Sequence, residues 1–175
     1  DPTDRKRDAA ASFDAHATEY LESPVHRVGD DLDRVANWCA GADRALDVAT
    51  GAGHVAGAIR DTGVDTVVAA DAAPRMLATA RDAYPGIEGV AADAERLPFA
   101  ADSFDAVSCR IAAHHFPDPA GFVDEVARVL RAGGTFALED NVAPPDPALD
   151  RFLNRVERLR DPTHVRSHTV DAWLD

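Results

Sequence analysis

Short apolar runs alternate with amphipathic patterns between residues 45 and 140, and this alternation constrains the fold more than any other feature of the sequence. It is typical of parallel strands joined by crossover helices, because each helix returns the chain to the same edge of the sheet. We therefore predict an α/β fold with a mostly parallel sheet. The predicted strands are 45–49, 66–70, 89–92, 106–109 and 135–138.

Amphipathic helices are predicted between and around these strands. The clearest one covers 119–131, where Asp118 can cap the N-terminus and the glycine pair at 133–134 is expected to end the helix. Apolar faces also recur at helical spacing in 30–39 and 149–159. A chain of 175 residues is expected to form one domain. We divide it into a helical arm or lid over 1–40, a core over 41–142 and a C-terminal helical segment over 143–175.

The charge and the cysteines exclude several classes of protein. The chain carries 18 basic and 31 acidic residues, a formal net charge of −13. This balance argues against nucleic acid as a partner, since phosphate binding depends on clustered Lys and Arg. No apolar run approaches the ~20 residues of a membrane span. Cys39 and Cys109 lack the spacing of a metal or redox motif, so we expect reduced core thiols, no metal site and a cytoplasmic protein.

A strand that runs into Gly51-Ala52-Gly53 and then into a helix is the strongest sign of a ligand site. Glycines at such a turn let the backbone approach a ligand and leave a helix N-terminus directed at it. An ordinary turn between a strand and a helix would look similar, but two carboxylates favour a ligand. Asp47 lies within the apolar strand, where burial is costly without a partner. Asp71 ends the next strand about twenty residues after Gly51, where an acid can bind ribose hydroxyls.

The acid at position 47 separates two classes of cofactor. A nicotinamide dinucleotide would also use an acid after the second strand, but Asp47 would place a negative charge beside its pyrophosphate. A ligand with an ammonium group suits this acid better. S-adenosylmethionine has an amino acid at one end, ribose in the middle and adenine at the other end, so it suits both carboxylates.

Five ordered segments of the chain resemble the class I S-adenosylmethionine-dependent methyltransferases, in particular the type 11 group that includes ubiquinone and menaquinone methyltransferases. The segments are 46–53 (LDVATGAG), 70–77 (ADAAPRML), 92–99 (ADAERLPF), 102–107 (DSFDAV) and 125–134 (EVARVLRAGG). The resemblance covers residues 13–175 and implies a doubly wound Rossmann-like sheet of strand order 3-2-1-4-5 with helices on both faces. The last two strands of that family are missing from this pattern, so we expect the natural chain to continue past residue 175 and to cover the fifth strand.

The resemblance also implies a cofactor site, residue by residue. The contacts implied at the methionine end and the ribose come from Asp47, Ala49, Gly51, Gly53, Asp71 and Ala72. The remaining implied contacts are Met76 against the adenine ring, Asp93 at the adenine amino group, the backbone N–H of Ala94 at the ring, main-chain atoms of Arg110 near the methionine, and Tyr20 in a lid.

Two histidines are the predicted catalytic residues. Methyl transfer is an in-line displacement, in which the protein mainly positions the donor and the acceptor and excludes water. His114 and His115 follow the fourth strand, where the acceptor pocket should open, and one of them could deprotonate an acceptor. A structural hydrogen bond is the alternative for His115. His164 either lines the acceptor side or caps a turn.

The implied function is transfer of a methyl group from S-adenosylmethionine to a small-molecule acceptor, with S-adenosylhomocysteine as product. A non-catalytic S-adenosylmethionine-binding domain and, with less support, a nicotinamide oxidoreductase are the alternatives. A quinone precursor, a sterol-like lipid, a small amine or acid, and arsenite are all open as acceptors. Both a monomer and a homodimer agree with the sequence. Asp102, Asp105 and a Glu125–Arg128 ion pair are interpreted as structural.

Overall fold

The computed structural model describes residues 2–175, and within them it forms one five-stranded sheet. The strands are β1 (Arg44–Val48), β2 (Thr66–Asp71), β3 (Glu88–Ala91), β4 (Phe104–Arg110) and β5 (Leu130–Glu139). All four strand pairs are parallel, and the order is β3-β2-β1-β4-β5. The predicted α/β class and strand order are therefore confirmed. Among the described residues, β5 pairs with β4 alone and lies at an edge.

Helices surround this sheet and precede it. They are α1 (Pro2–Ala15), α2 (Ala17–Glu22), α3 (Pro24–Arg27), α4 (Asp30–Cys39), α5 (His54–Asp61), α6 (Pro74–Ala83), α7 (Pro119–Val129), α8 (Pro147–Arg160) and α9 (Val170–Leu174), with a 3-10 helix over Ala113–His115. Asp1, the first residue of the predicted arm, lies outside the described residues. No helix within residues 2–175 is long and apolar enough to cross a membrane.

The core consists of two layers, one on each face of the sheet. Successive residues of β2 alternate between them: Val67 packs with α4 and α5, whereas Val68 packs with α7. This alternation follows from the period of two in a strand, and both faces are apolar because helices cover both. Cys39 and Cys109 are free and buried in these layers, as the sequence predicts.

Helix α7 ends two residues earlier than predicted. Leu130 already pairs with Phe104 of β4, and the register is irregular before Ala106, so β5 begins at once. The glycine pair lies inside this irregular part of β5 and does not end the helix. Gly133 has a φ of 81°, and a Cβ on Gly134 would lie 2.8 Å from the carbonyl oxygen of Asp105. The pair therefore allows the bulged strand to pass close to β4.

Helix α8 forms as predicted, but its predicted apolar face is exposed. Phe152 and Leu159 are 68% and 78% exposed, whereas the polar Asn154 is buried. The sequence pattern correctly indicates a helix here, but within residues 2–175 no partner covers that face. Thr169 caps the short α9, and Trp173 packs on the α7 side of the core.

The predicted Glu125–Arg128 ion pair is present and holds a loop that follows β3. Glu125 accepts the backbone N–H of Leu97 at 2.7 Å, and Arg128 donates to the carbonyls of Leu97 at 2.9 Å and Phe99 at 2.8 Å. The pair thus fixes the chain just after Asp93. Asp105 is also structural, since it accepts the backbone N–H of Arg44 at 2.9 Å.

Replacement of Gly57 by Ala tests the close packing of α5 against Tyr84, the residue that follows α6. A Cβ at position 57 would lie 2.6 and 2.7 Å from the Cε1 and Cγ atoms of Tyr84. We expect Gly57→Ala to lower the free energy of unfolding by ~1–3 kcal/mol, measured in urea. In a Tyr84→Ala background the same change should instead raise it by up to ~1 kcal/mol, because Ala favours the helix. An equal effect in both backgrounds would contradict this packing.

Candidate cofactor and acceptor site

A cavity of about 560 Å³ opens at the carboxyl ends of β1, β2 and β4. This is the edge at which doubly wound sheets bind ligands. Thirteen residues are predicted as cofactor-binding or catalytic, and twelve of them line the cavity, whereas Gly53 does not. The twelve are Tyr20, Asp47, Ala49, Gly51, Asp71, Ala72, Met76, Asp93, Ala94, Arg110, His114 and His115.

Asp47 is buried at the end of β1 and accepts two neutral hydroxyl donors. Thr50 Oγ1 donates at 2.6 Å and Ser108 Oγ at 2.7 Å, and the residue is 1% exposed. Burial raises the pKa of Asp47 to about 6, while these two hydrogen bonds act in the opposite direction. Burial of Asp47 in an apolar strand predicts a hydrogen-bond partner, and two hydroxyl groups fill that role.

Asp71 is the last residue of β2, and it shapes the glycine turn that follows β1. Its carboxylate accepts the backbone N–H groups of Gly51 and Ala73, each at 2.8 Å. Burial raises the pKa of Asp71. Gly51 has a φ of 54°, and a Cβ there would meet no atom within 4 Å. The turn thus leaves open space in front of its backbone, as a closely approaching ligand requires.

Gly53 differs from Gly51, because the space beside its Cα is filled. A Cβ on Gly53 would lie 2.7 Å from the Cβ of Ala80 and 3.2 Å from the ring of Tyr84. Its φ of 87° also favours glycine. The structure therefore assigns the second glycine of the motif to the packing of α5 against α6 and does not place it at the cavity.

The predicted adenine end lies beneath α1. Met76 is buried against Ala17 of α2, and Asp93 accepts a hydrogen bond from Lys6 Nζ at 2.8 Å. Lys6 also pairs with Glu95. Lys6 was not predicted as a site residue, because the polar pattern of α1 looks like that of a solvated helix.

Arg110 holds the helical arm against the sheet. Its side chain is 3% exposed and pairs with Asp31 of α4, and it donates to the carbonyls of His26 at 3.1 Å and Val25 at 3.2 Å. The predicted contact of its main chain with a ligand stays a prediction, and Arg110 lines the cavity. Its guanidinium group connects α3 and α4 to the end of β4.

His54 is a second site residue that the sequence analysis missed. Its Nδ1 lies 2.5 Å from the hydroxyl oxygen of Tyr84, and its Nε2 lies 3.2 Å from the carbonyl oxygen of Tyr20. Burial lowers the pKa of His54. Only its position after Gly53 could have indicated it. The residue connects the arm to the N-terminus of α5.

The two predicted catalytic histidines have different surroundings. Nδ1 of His114 lies 2.5 Å from Asp140 Oδ1, and the side chain of Asp140 is also buried. Nδ1 of His115 lies 3.1 Å from Thr163 Oγ1. Burial and the neighbouring His114 lower the pKa of His115 to about 4. His164 is buried against Asn154 at 3.1 Å and does not line the cavity, so its role is structural.

Replacement of Asp47 by Asn tests the free-energy cost of ionising this buried carboxylate. The raised pKa means that Asp47 ionises more readily in the unfolded chain, so its ionisation lowers the free energy of unfolding as the pH rises from ~4 to ~6. Asn does not ionise, so the free energy of unfolding of the Asn variant lacks this decrease. We expect its stability relative to the natural sequence to rise by ~2–3 kcal/mol between about pH 4 and pH 7.5, measured by urea unfolding. The exposed Asp65→Asn change is the control, and a pH-independent difference for Asp47→Asn would contradict the assignment.

Comparison with known proteins identifies the family. A family model described as a methyltransferase domain matches residues 46–138, more than half of the chain. The chain is 42% identical over 168 residues to a Bacillus subtilis protein named uncharacterized methyltransferase YcgJ, covering 92% of this chain and 66% of that protein. It is 36% identical over 187 residues to a demethylmenaquinone methyltransferase of Clavibacter sepedonicus, covering 95% of this chain and 76% of that protein.

Solved structures agree with this result. The crystal structure of YcgJ matches with a TM-score of 0.77 at 40% identity, covering 82% of this chain and 64% of that one. An S-adenosylmethionine-dependent methyltransferase from Mesorhizobium loti matches with a TM-score of 0.68 at 27% identity, covering 82% and 74%. This chain thus spans about two thirds of the length of YcgJ. On both sequence and structure, it belongs to the methyltransferase domain family.

Proposed function

We propose that this protein binds S-adenosylmethionine and directs transfer of its methyl group to a small-molecule acceptor. The observation that carries the proposal is the continuity of one cavity, which extends from the turn at Gly51 to His114 and His115. A donor held over the glycine turn and an acceptor beside the histidines would share that space. When bound, the cofactor supplies an electrophilic methyl group, and the chain's own part is to align the two molecules and exclude water.

The charge of the cavity supports a cationic cofactor. Asp47 and Asp71 end neighbouring strands, and the hydrogen bonds that they accept come from hydroxyl and backbone N–H groups. No Lys or Arg side chain in residues 2–175 forms an ion pair with either carboxylate. A ligand that carries ammonium and sulfonium charges would offset them. The pyrophosphate of a nicotinamide dinucleotide would add like charge, so that alternative has less support.

The residues present suit each part of S-adenosylmethionine. Asp47 offers negative charge and Gly51 offers open backbone for the methionine end. Asp71 retains acceptor capacity for ribose hydroxyls, since each of its oxygens accepts one backbone N–H. Met76 and Asp93 offer an apolar surface and an acceptor for adenine. A non-catalytic binding domain would use the same residues, so only turnover separates it from an enzyme.

Loss of the Asp71 carboxylate should weaken cofactor binding. We expect Asp71→Ala to reduce the affinity for S-adenosylhomocysteine by ~1–3 kcal/mol in calorimetry, the scale of hydrogen bonds to a charged group. Asp65→Ala, which removes an exposed acid before β2, should leave the affinity unchanged. NAD should bind neither the natural protein nor the variants.

Two outcomes would contradict the proposal. Unchanged affinity in a folded Asp71→Ala protein would remove this residue from the ribose site. Binding of NAD with no binding of S-adenosylhomocysteine would favour the oxidoreductase alternative.

A further inference from the structure

The ammonium group of Lys6 bridges two carboxylates at the predicted adenine end of the cavity. Helix α1 brings Lys6 to the loop after β3, where its Nζ lies 2.8 Å from Asp93 Oδ2 and also pairs with Glu95. We propose that Lys6 competes with the adenine amino group for Asp93, so that the cofactor binds by exchange with Lys6 at this carboxylate. This inference rests on the proposed function, because it takes adenine as the ligand of Asp93.

The two oxygens of Asp93 have different partners. Oδ1 accepts the backbone N–H of Glu95 at 3.0 Å, which closes a turn within the loop. Oδ2 accepts its hydrogen bond from Lys6, a residue 87 positions away in the sequence. Only Oδ2 can therefore exchange its donor without breaking the turn that holds the carboxylate in the cavity wall. That oxygen is the one at which an adenine amino group would meet Lys6.

Lys6 and adenine present the same kind of donor to Asp93. Each would offer a nitrogen-bound hydrogen to the carboxylate, but the ammonium group also carries charge, and charge-assisted hydrogen bonds are the stronger ones. Burial acts to lower the pKa of Lys6, while the hydrogen bonds and charges of Asp93 and Glu95 raise it above its ordinary value. Lys6 is thus an ammonium ion at neutral pH, and the neutral amino group of adenine has to replace a charged donor.

The Lys6–Asp93 pair is nevertheless exposed enough to break. The two side chains are 28% and 43% exposed, so water and salt reach both charges. An ion pair of this kind contributes little free energy, because the high dielectric constant of water weakens it. The competition should therefore change the affinity for the cofactor severalfold and not abolish binding.

Glu95 gives Lys6 a partner that adenine does not take. Its side chain is only 10% exposed, and its Oε1 accepts the backbone N–H of Asp118 at 2.7 Å. This second carboxylate is thus fixed in place and can keep the ammonium group when Asp93 is given up. The exchange then requires a movement of the Lys6 side chain while α1 stays where Ala10 and Phe13 pack against Met76.

Removal of the Lys6 charge tests the exchange by the sign of its effect. We expect Lys6→Met, which keeps an unbranched side chain, to bind S-adenosylhomocysteine ~2–5-fold more tightly than the natural protein in calorimetry. The opposite role, in which Lys6 holds α1 over a bound cofactor, predicts weaker binding. Arg5→Met is the matched control, because it removes one positive charge from the same helix at an exposed position that does not line the cavity.

S-inosylhomocysteine tests whether the amino group of adenine is the competitor. It has the same net charge as S-adenosylhomocysteine, but an oxygen replaces the amino group that would donate to Asp93. Lys6→Met should therefore give no gain in affinity for this analogue. An equal gain for both ligands would overturn the exchange, since Lys6 would then act through its bulk or its long-range charge.

Salt provides a second readout of the same competition. Ions screen the Lys6–Asp93 pair, so the advantage of Lys6→Met over the natural protein should fall toward one between about 0.1 M and about 1 M NaCl. The ratio of the two affinities is the quantity to measure, because salt also screens the charges of the ligand in both proteins. A ratio that does not change with salt would overturn an exchange based on charge.

The outcomes separate this inference from the proposed function. Equal or weaker binding of S-adenosylhomocysteine by Lys6→Met, with normal binding by Arg5→Met, would overturn the exchange and leave the proposed function intact. Failure of the natural protein and of both variants to bind S-adenosylhomocysteine would instead refute the proposed function.

Discussion

Two carboxylates at the carboxyl ends of neighbouring strands, the buried Asp47 and the half-buried Asp71, hold the turn on which the cavity depends. Asp47 and Asp71 are brought together by the parallel pairing of β1 and β2, in which Val48 lies opposite Ala70. The backbone N–H of Thr50 continues that ladder by donating to the carbonyl of Ala70 at 3.0 Å. Asp71 then accepts the next free backbone N–H, that of Gly51. The turn and the start of α5 therefore lie next to two carboxylates. Hydrogen bonds from neutral hydroxyl and backbone N–H groups stabilise these carboxylates.

The sheet and the glycine turn after β1 could be predicted because their signals are local. The alternation of apolar runs with helical patterns correctly predicted the α/β class, and the strand order followed from the family resemblance. The end of α7 could not be predicted, since Leu130 leaves the helix to pair with Phe104, which is distant in sequence. Lys6 and Asp140 were missed for the same reason. Their partners, Asp93 and His114, lie 87 and 26 residues away, and no periodic pattern records such a distance.

The two halves of the cavity are built differently. The half near Gly51 is formed by turns that leave adjacent parallel strands, so its geometry follows from the sheet. The half near His114 depends on segments that only pack onto the sheet: α1 and the stretch after α8, which meets His114 through Val165 and Arg166. A change in the stretch after α8 would alter the half near His114 and leave the turn at Gly51 in place, whereas α1 also reaches Asp93 through Lys6.

Helix α1 carries the only lysine in the sequence, and that lysine lies between two acids at the predicted adenine end. Within residues 1–175, Lys6 is therefore the single side-chain amine available for acylation. An acylating reagent would therefore report on α1 at Lys6. The reaction rate of Lys6 would depend on how often its ion pairs with Asp93 and Glu95 break. The rate would therefore measure how often this end of the cavity opens, and no mutation would be needed to introduce a label.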